Sequence, residues 1–122
     1  MNIIFGNAQP IYQQIISRVL LSIAKGELQP GGKIAPVREM AAKFKVNPNT
    51  MQKSLAKLEE MGYLYTEGTA GRFVTKDTEI IKKLRTSLPM EITTRFINEM
   101  LECGVPRMVI PGYVGNLIQK RN

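Results

Sequence analysis

The sequence predicts a mainly α-helical fold with one small β-hairpin, and three observations carry that expectation. Between Pro36 and Gly62, two short amphipathic patterns are separated by a three-residue break. Directly after them, Tyr63-Leu-Tyr-Thr-Glu67 and Arg72-Phe-Val-Thr75 flank the glycine-bounded tip Gly68-Thr-Ala-Gly71. On either side, residues 10–25 and 77–103 repeat apolar residues at the spacing of a helical face. This is the order of a winged helix-turn-helix, expected over residues 1–76, followed by a helical segment over residues 77–122.

Each element has a local reason. Residues 1–9 read as an irregular or extended lead-in, with Ile3, Ile4 and Phe5 free to pack. Pro10 opens a helix that keeps Ile11, Ile15, Ile16, Val19, Leu20 and Ile23 on one stripe, and Gly26 supplies its left-handed stop. Pro30-Gly31-Gly32 predicts a turn into a short extended piece around Ile34. The second helix of the central motif starts with Asn47 as N-cap and Pro48 at the first helical position, where its missing N–H costs nothing. Val46 and Met51 are spaced for a hydrophobic staple. Met51, Leu55 and Leu58 then turn toward a core, leaving Asn49, Gln52, Lys53 and Lys57 to face outward. Alternation in the hairpin gives Tyr63 or Tyr65 a packing role. Beyond Asp77, Ile80, Ile81 and Leu84, then Ile92, Phe96, Ile97, Met100 and Leu101, define amphipathic helices that Pro89 separates or kinks and Gly104-Val-Pro106 stops. Pro111-Gly112 interrupts a weaker apolar set, Tyr113, Val114, Leu117 and Ile118, which reads either as a short docked helix or as a disordered end.

Composition narrows the function. The 122-residue chain carries a formal net charge of +7, unevenly distributed. Residues 1–76 hold ten Lys/Arg against five Asp/Glu, and residues 77–122 hold seven against five. No acid occurs from Met40 through Leu58, whereas Lys43, Lys45, Lys53 and Lys57 all do, so a polyanion meets no repulsion along that surface. With no histidine and a single cysteine, the commonest general base and the usual metal clusters are missing, and no phosphate-binding glycine loop is present. The expectation is a non-enzymatic protein without cofactor or metal. No apolar run approaches the ~20 residues of a membrane span and the N-terminus lacks a secretion pattern, so a cytoplasmic location is expected. Met40, Met51, Met61 and Met100 are assigned to packing, and Cys103 to a small buried or interface position.

Several ordered pieces carry a family resemblance: Pro10-Ile-Tyr-Gln-Gln-Ile15, Gly26-Glu-Leu-Gln-Pro-Gly-Gly-Lys-Ile34, Val37-Arg-Glu-Met-Ala41, Val46-Asn-Pro-Asn-Thr50, Leu58-Glu-Glu-Met-Gly62 and Gly71-Arg-Phe-Val74. Over residues 9–75 the chain resembles the winged-helix domain of GntR-family bacterial transcription regulators. Its Asn-Pro-Asn-Thr helix start and short helical tail resemble the YtrA-type branch. That resemblance implies no large effector domain, dimerisation through two C-terminal helices and, often, control of a transporter operon. It also implies DNA contacts from Arg38, from Asn47, Pro48, Asn49, Thr50 and Gln52 at the recognition-helix start, and from the wing tip Gly68, Thr69, Gly71 and Arg72. Ala35-Pro36 departs from the family's Pro-Ser, which removes the usual serine cap of the preceding helix.

The chemistry of these side chains agrees with that assignment. Asn49 and Gln52 can pair in bidentate fashion with adenine, and Lys53 and Lys57 suit phosphate. Asn47 is better suited to capping than to reading a base. Arg38 precedes the acid-free face, and Arg72 adjoins the wing tip. The expected function is a homodimeric repressor of double-stranded DNA with an inverted-repeat operator, its dimer surface formed by Ile80, Ile81, Leu84, Ile92, Phe96, Ile97, Met100 and Leu101. A winged helix that binds RNA or a protein partner is the alternative. No effector is identified, and a 46-residue tail leaves little room for an enclosed pocket.

Overall fold

A computed structural model of the chain describes residues 10–121; Ile3, Ile4 and Phe5 lie outside them. Helix α1 spans Ile11–Lys25, α2 Val37–Phe44 and α3 Pro48–Glu60. Strands β1, Leu64–Glu67, and β2, Gly71–Val74, form the hairpin. Helix α4 spans Thr78–Glu102, and a single 3-10 turn, Arg107–Val109, leads into α5, Ile110–Arg121. The chain divides into two compact units, Met1–Thr86 and Ser87–Asn122.

In the first unit, α1 buries Ile15, Ile16, Val19, Leu20 and Ile23 while Ile11 stays exposed. Its end is set by Gly26 at φ 91°, whose N–H reaches back to the Ser22 and Ile23 carbonyls. The buried face of α3, Met51, Ser54, Leu55 and Leu58, completes the core with Leu64 and Val74 of the hairpin. The Ser54 hydroxyl points its one proton toward two carbonyls, Thr50 at 2.9 Å and Tyr12 of α1 at 3.1 Å, and so ties α3 to α1. Helix α2 starts at Pro36 with no side-chain cap, as the missing serine implies. It ends on Lys45 in the left-handed region, φ 58° and ψ 48°, which turns the chain into α3.

The hairpin pairs Tyr65 with Phe73 and Thr66 with Arg72 in antiparallel register. The Tyr65 and Phe73 rings stack with centroids 5.6 Å apart, the packing role that alternation required. The extended piece at Ile34 joins the sheet edge through a Lys33–Phe73 bridge and an Ile34 N–H donated to the Arg72 carbonyl.

Three expectations need correction. Pro89 does not divide the C-terminal helices: α4 is a single 25-residue helix through it. A proline leaves the carbonyl four residues before it without its helical donor, and the full turns on both sides outlast that loss. Of the two readings left open for the end of the chain, the helix is the one observed: Pro111-Gly112 opens α5, because a first-turn proline has no helical N–H to lose. Met61 is 44% exposed, so it is not a core residue, and Cys103 is exposed in the single chain, which excludes the buried one of its two expected positions. Finally, Ile81 and Leu84, grouped with the dimer face, are 2% and 3% exposed in the single chain, so they are core residues unavailable to a partner. In the same stretch of α4, Arg85 Nε donates to the Ala24 carbonyl of α1 at 2.9 Å.

Candidate nucleic-acid interface

Helix α3 has two faces set by its sequence. Asn47 Oδ1 accepts from the Asn49 N–H at 2.7 Å, so the Asn47 side chain caps the helix and its oxygen is committed. From that start Asn49, Gln52, Lys53 and Lys57 all fall on the exposed face, opposite Met51, Leu55 and Leu58. Thr50 is half-buried in the first turn and Pro48 is exposed. An amide and ammonium stripe of this width can place bidentate groups against base edges and cations against phosphates.

The cations on this face are not equally free. Lys53 Nζ sits 4.6 Å from the centre of the Tyr12 ring, a cation–π contact that holds its ammonium beside α1. Lys57 Nζ is 3.5 Å from Glu60 Oε1, an exposed pair of small energetic weight. Arg38 is exposed in the first turn of α2, and no ion pair involves it among the described residues. Between the N-terminal end of α2, α3 and the hairpin lies an open cleft of about 400 Å³ lined by Lys33, Val37, Gln52, Thr66, Thr69 and Arg72, among others.

At the wing, Gly68 and Thr69 are exposed at the tip, with Gly68 at φ 50°. Gly71 is needed for its backbone, with φ at 124°; a Cβ there would also lie 2.9 Å from Lys33 Cε, a contact that the flexible lysine could move to relieve. Lys33, 38 residues earlier, thus folds over the wing root and adds a cation that local sequence gave no reason to include. Arg72, by contrast, does not project from the tip. Its side chain is 17% exposed, with Nε 3.3 Å from Glu59 Oε2. Sequence reading missed that pairing because Glu59 lies on another element.

In the second unit, Ile92 and Leu101 are exposed and Phe96, Ile97 and Met100 half-buried. Phe96 and Met100 line a groove of about 340 Å³ with Tyr113, Val114, Leu117 and Ile118 of α5. The α5 residues follow helical spacing, a signal that Pro111-Gly112 obscured. Among the described residues there is no group of three or more His, Cys, Asp or Glu placed to hold a metal ion, and no helix long and apolar enough to cross a membrane.

The three-helix core, hairpin and basic recognition face define a winged helix-turn-helix DNA-binding regulator. A match of residues 11–74 to the profile "Bacterial regulatory proteins, gntR family" establishes that the chain belongs to the GntR family. It is 36% identical over 103 residues, 84% of this chain and 85% of the relative, to the HTH-type transcriptional regulator YhcF of Bacillus subtilis. To the HTH-type transcriptional repressor YtrA of the same organism it is 34% identical over 73 residues, 60% of this chain and 56% of the relative. A GntR-family regulator from Listeria monocytogenes superposes with a TM-score of 0.76 at 34% identity, covering 90% of this chain and 96% of that one. AraR(DBD), solved in complex with operator ORR3, matches with a TM-score of 0.52 at 30% identity, covering 54% of this chain and 80% of that one.

Proposed function

We propose that the chain is a homodimeric, sequence-specific repressor that acts in the cytoplasm on an inverted-repeat operator in duplex DNA. On this reading each protomer lays α3 in a major groove. Arg38, Asn49 and Gln52 then meet base edges, Asn47, Pro48 and Thr50 the backbone at the helix start, Lys53 and Lys57 phosphates, and Gly68, Thr69 and Gly71 of the wing the adjoining backbone. The observation that carries the reading is the exposed amide and lysine stripe of α3, free of acids from Met40 through Leu58. The operator complex of AraR(DBD) supports duplex DNA as the ligand, and the likeness to the repressor YtrA supports repression.

Dimerisation rests on the second unit. Ile92, Phe96, Ile97, Met100 and Leu101 of α4, together with Tyr113, Val114, Leu117 and Ile118 of α5, leave a broad apolar surface that a monomer would expose to water. A second recognition helix on the same particle raises the effective concentration of the other half-site. In vitro selection from a random duplex pool, with sedimentation of the purified chain, tests the proposal. The expected result is a dimer and a symmetric consensus whose half-sites lie roughly 10 bp apart, centre to centre, or a multiple of that. A monomer, an asymmetric consensus, or equal competition by RNA and scrambled duplex would overturn it.

A further inference from the structure

Arg72 and Thr66 face one another across the hairpin, and both meet a single atom of the recognition helix. Arg72 Nε is 3.3 Å from Glu59 Oε2, and the Thr66 hydroxyl donates to the same oxygen at 3.1 Å. The Arg72 and Glu59 side chains are 17% and 32% exposed, so the pair is screened less than a surface ion pair. Arg72 Nε is buried without a hydrogen bond of good angle, so Glu59 supplies charge compensation more than a directed bond. From the alternatives' side, Glu59 is poorly placed. A carboxylate in the last turn of a helix opposes the helix dipole, and one beside a polyanion-binding face repels its ligand.

We propose that Glu59, Arg72 and Thr66 form a strut that sets the wing against the recognition helix. Arg72 is then a positioning residue for DNA binding and not a phosphate contact of the wing tip. The inference rests on the reading that α3 enters a major groove with the wing on the adjoining backbone. Opposite faces of a duplex groove sit at fixed separation, so a wing held at one angle engages only when α3 is seated, and a loosened wing forfeits its contacts to ordering entropy.

The two roles for Arg72 predict opposite signs for Glu59→Gln. If Arg72 were a DNA contact restrained by Glu59, removing the carboxylate would release it, delete a repulsive charge and tighten binding. As a strut, the same change weakens binding. The test uses the full chain, a duplex selected by the wild-type chain from a random pool, and affinity measured across a salt series with hydroxyl-radical footprinting. Glu59→Gln and Arg72→Gln are each expected to lower affinity roughly three- to tenfold, with the double variant no worse than either single one. The salt slope stays unchanged, whereas loss of one phosphate contact would reduce it by about 0.9. Protection by the wing weakens while protection by α3 persists, an outcome that unfolding would not produce. Thr66→Val, an exposed site, gives the same selective loss in smaller measure without burying a charge. Tighter binding by Glu59→Gln, or a shallower salt slope for Arg72→Gln, would overturn the strut alone; failure of the wild type to select any duplex would overturn the proposed function with it.

Discussion

At the residue scale, the basic face of α3 is best understood by what already holds each side chain. Lys53 is steered by the Tyr12 ring at 4.6 Å, so its ammonium is partly pre-ordered and loses less entropy on meeting a phosphate. Lys53→Ala is therefore expected to weaken selected and random duplex alike and to lower the salt slope by about one. Arg38, with no ion pair to break among the described residues, is the contrasting case. Arg38→Ala is expected to cost ~1 to 3 kcal/mol on the selected duplex and to relax preference at one symmetric position; equal losses on both duplexes would remove the base-reading role. Gln52 lines the cleft beside the wing and lies one helical step from Asn49. If both amides read adenine, Gln52→Arg shifts one symmetric pair of positions toward G·C, because arginine's fork matches guanine O6 and N7. Repeating the selection checks this: an unchanged consensus rejects it.

At the element scale, what was legible in the sequence is what local chemistry decides. The Asn47 cap, the Gly26 stop and the Met51, Leu55, Leu58 face all follow from neighbours within a turn or two, and each stands as expected. Alternation gave Tyr63 or Tyr65 a packing role without naming a partner, and Tyr65 fills it by stacking on Phe73. Whether a proline ends a helix was not legible, because its cost depends on position and on what surrounds it: Pro111 falls in a first turn, and Pro89 has whole turns on either side. Lys33 over Gly71 and Glu59 against Arg72 were illegible because each joins residues that only the tertiary fold brings together. One cap escaped notice although its signal was present. Asp77 Oδ1 accepts from the Glu79 and Ile80 N–H groups at 3.0 and 3.4 Å, and the Asp77 N–H in turn donates to the buried Thr75 hydroxyl oxygen at 3.0 Å. Asp77→Ala is expected to cost about 1 kcal/mol of stability in urea unfolding; no change in the midpoint would mean that the first turn of α4 holds without its cap.

At the scale of the whole molecule, the boundary expected after Lys76 and the division between compact units after Thr86 differ by less than three helical turns, and the difference is testable. The first part of α4 belongs energetically to the winged domain. Ile81 and Leu84 are almost wholly buried, and Arg85 donates to a carbonyl at the end of α1. Burying each of the two apolar side chains is worth roughly 1.5–3 kcal/mol, so a fragment ending at Lys76 gives up about 3–6 kcal/mol of a stability that for a small domain totals only about 5–15. It also uncovers the apolar surface they shielded. Residues 1–86, by contrast, keep those contacts while losing the apolar groove of α4 and α5. The expected outcome is that 1–86 unfolds cooperatively, sediments as a monomer and binds the selected duplex far more weakly than the full chain. The fragment 1–76 is expected to unfold at markedly lower urea or to aggregate. If 1–76 proved as stable as 1–86, the assignment of Ile81 and Leu84 to the winged core would fail. A fragment 1–86 that remained dimeric with full affinity would instead remove the second unit from the proposed dimer, because everything that unit adds to binding would then be dispensable.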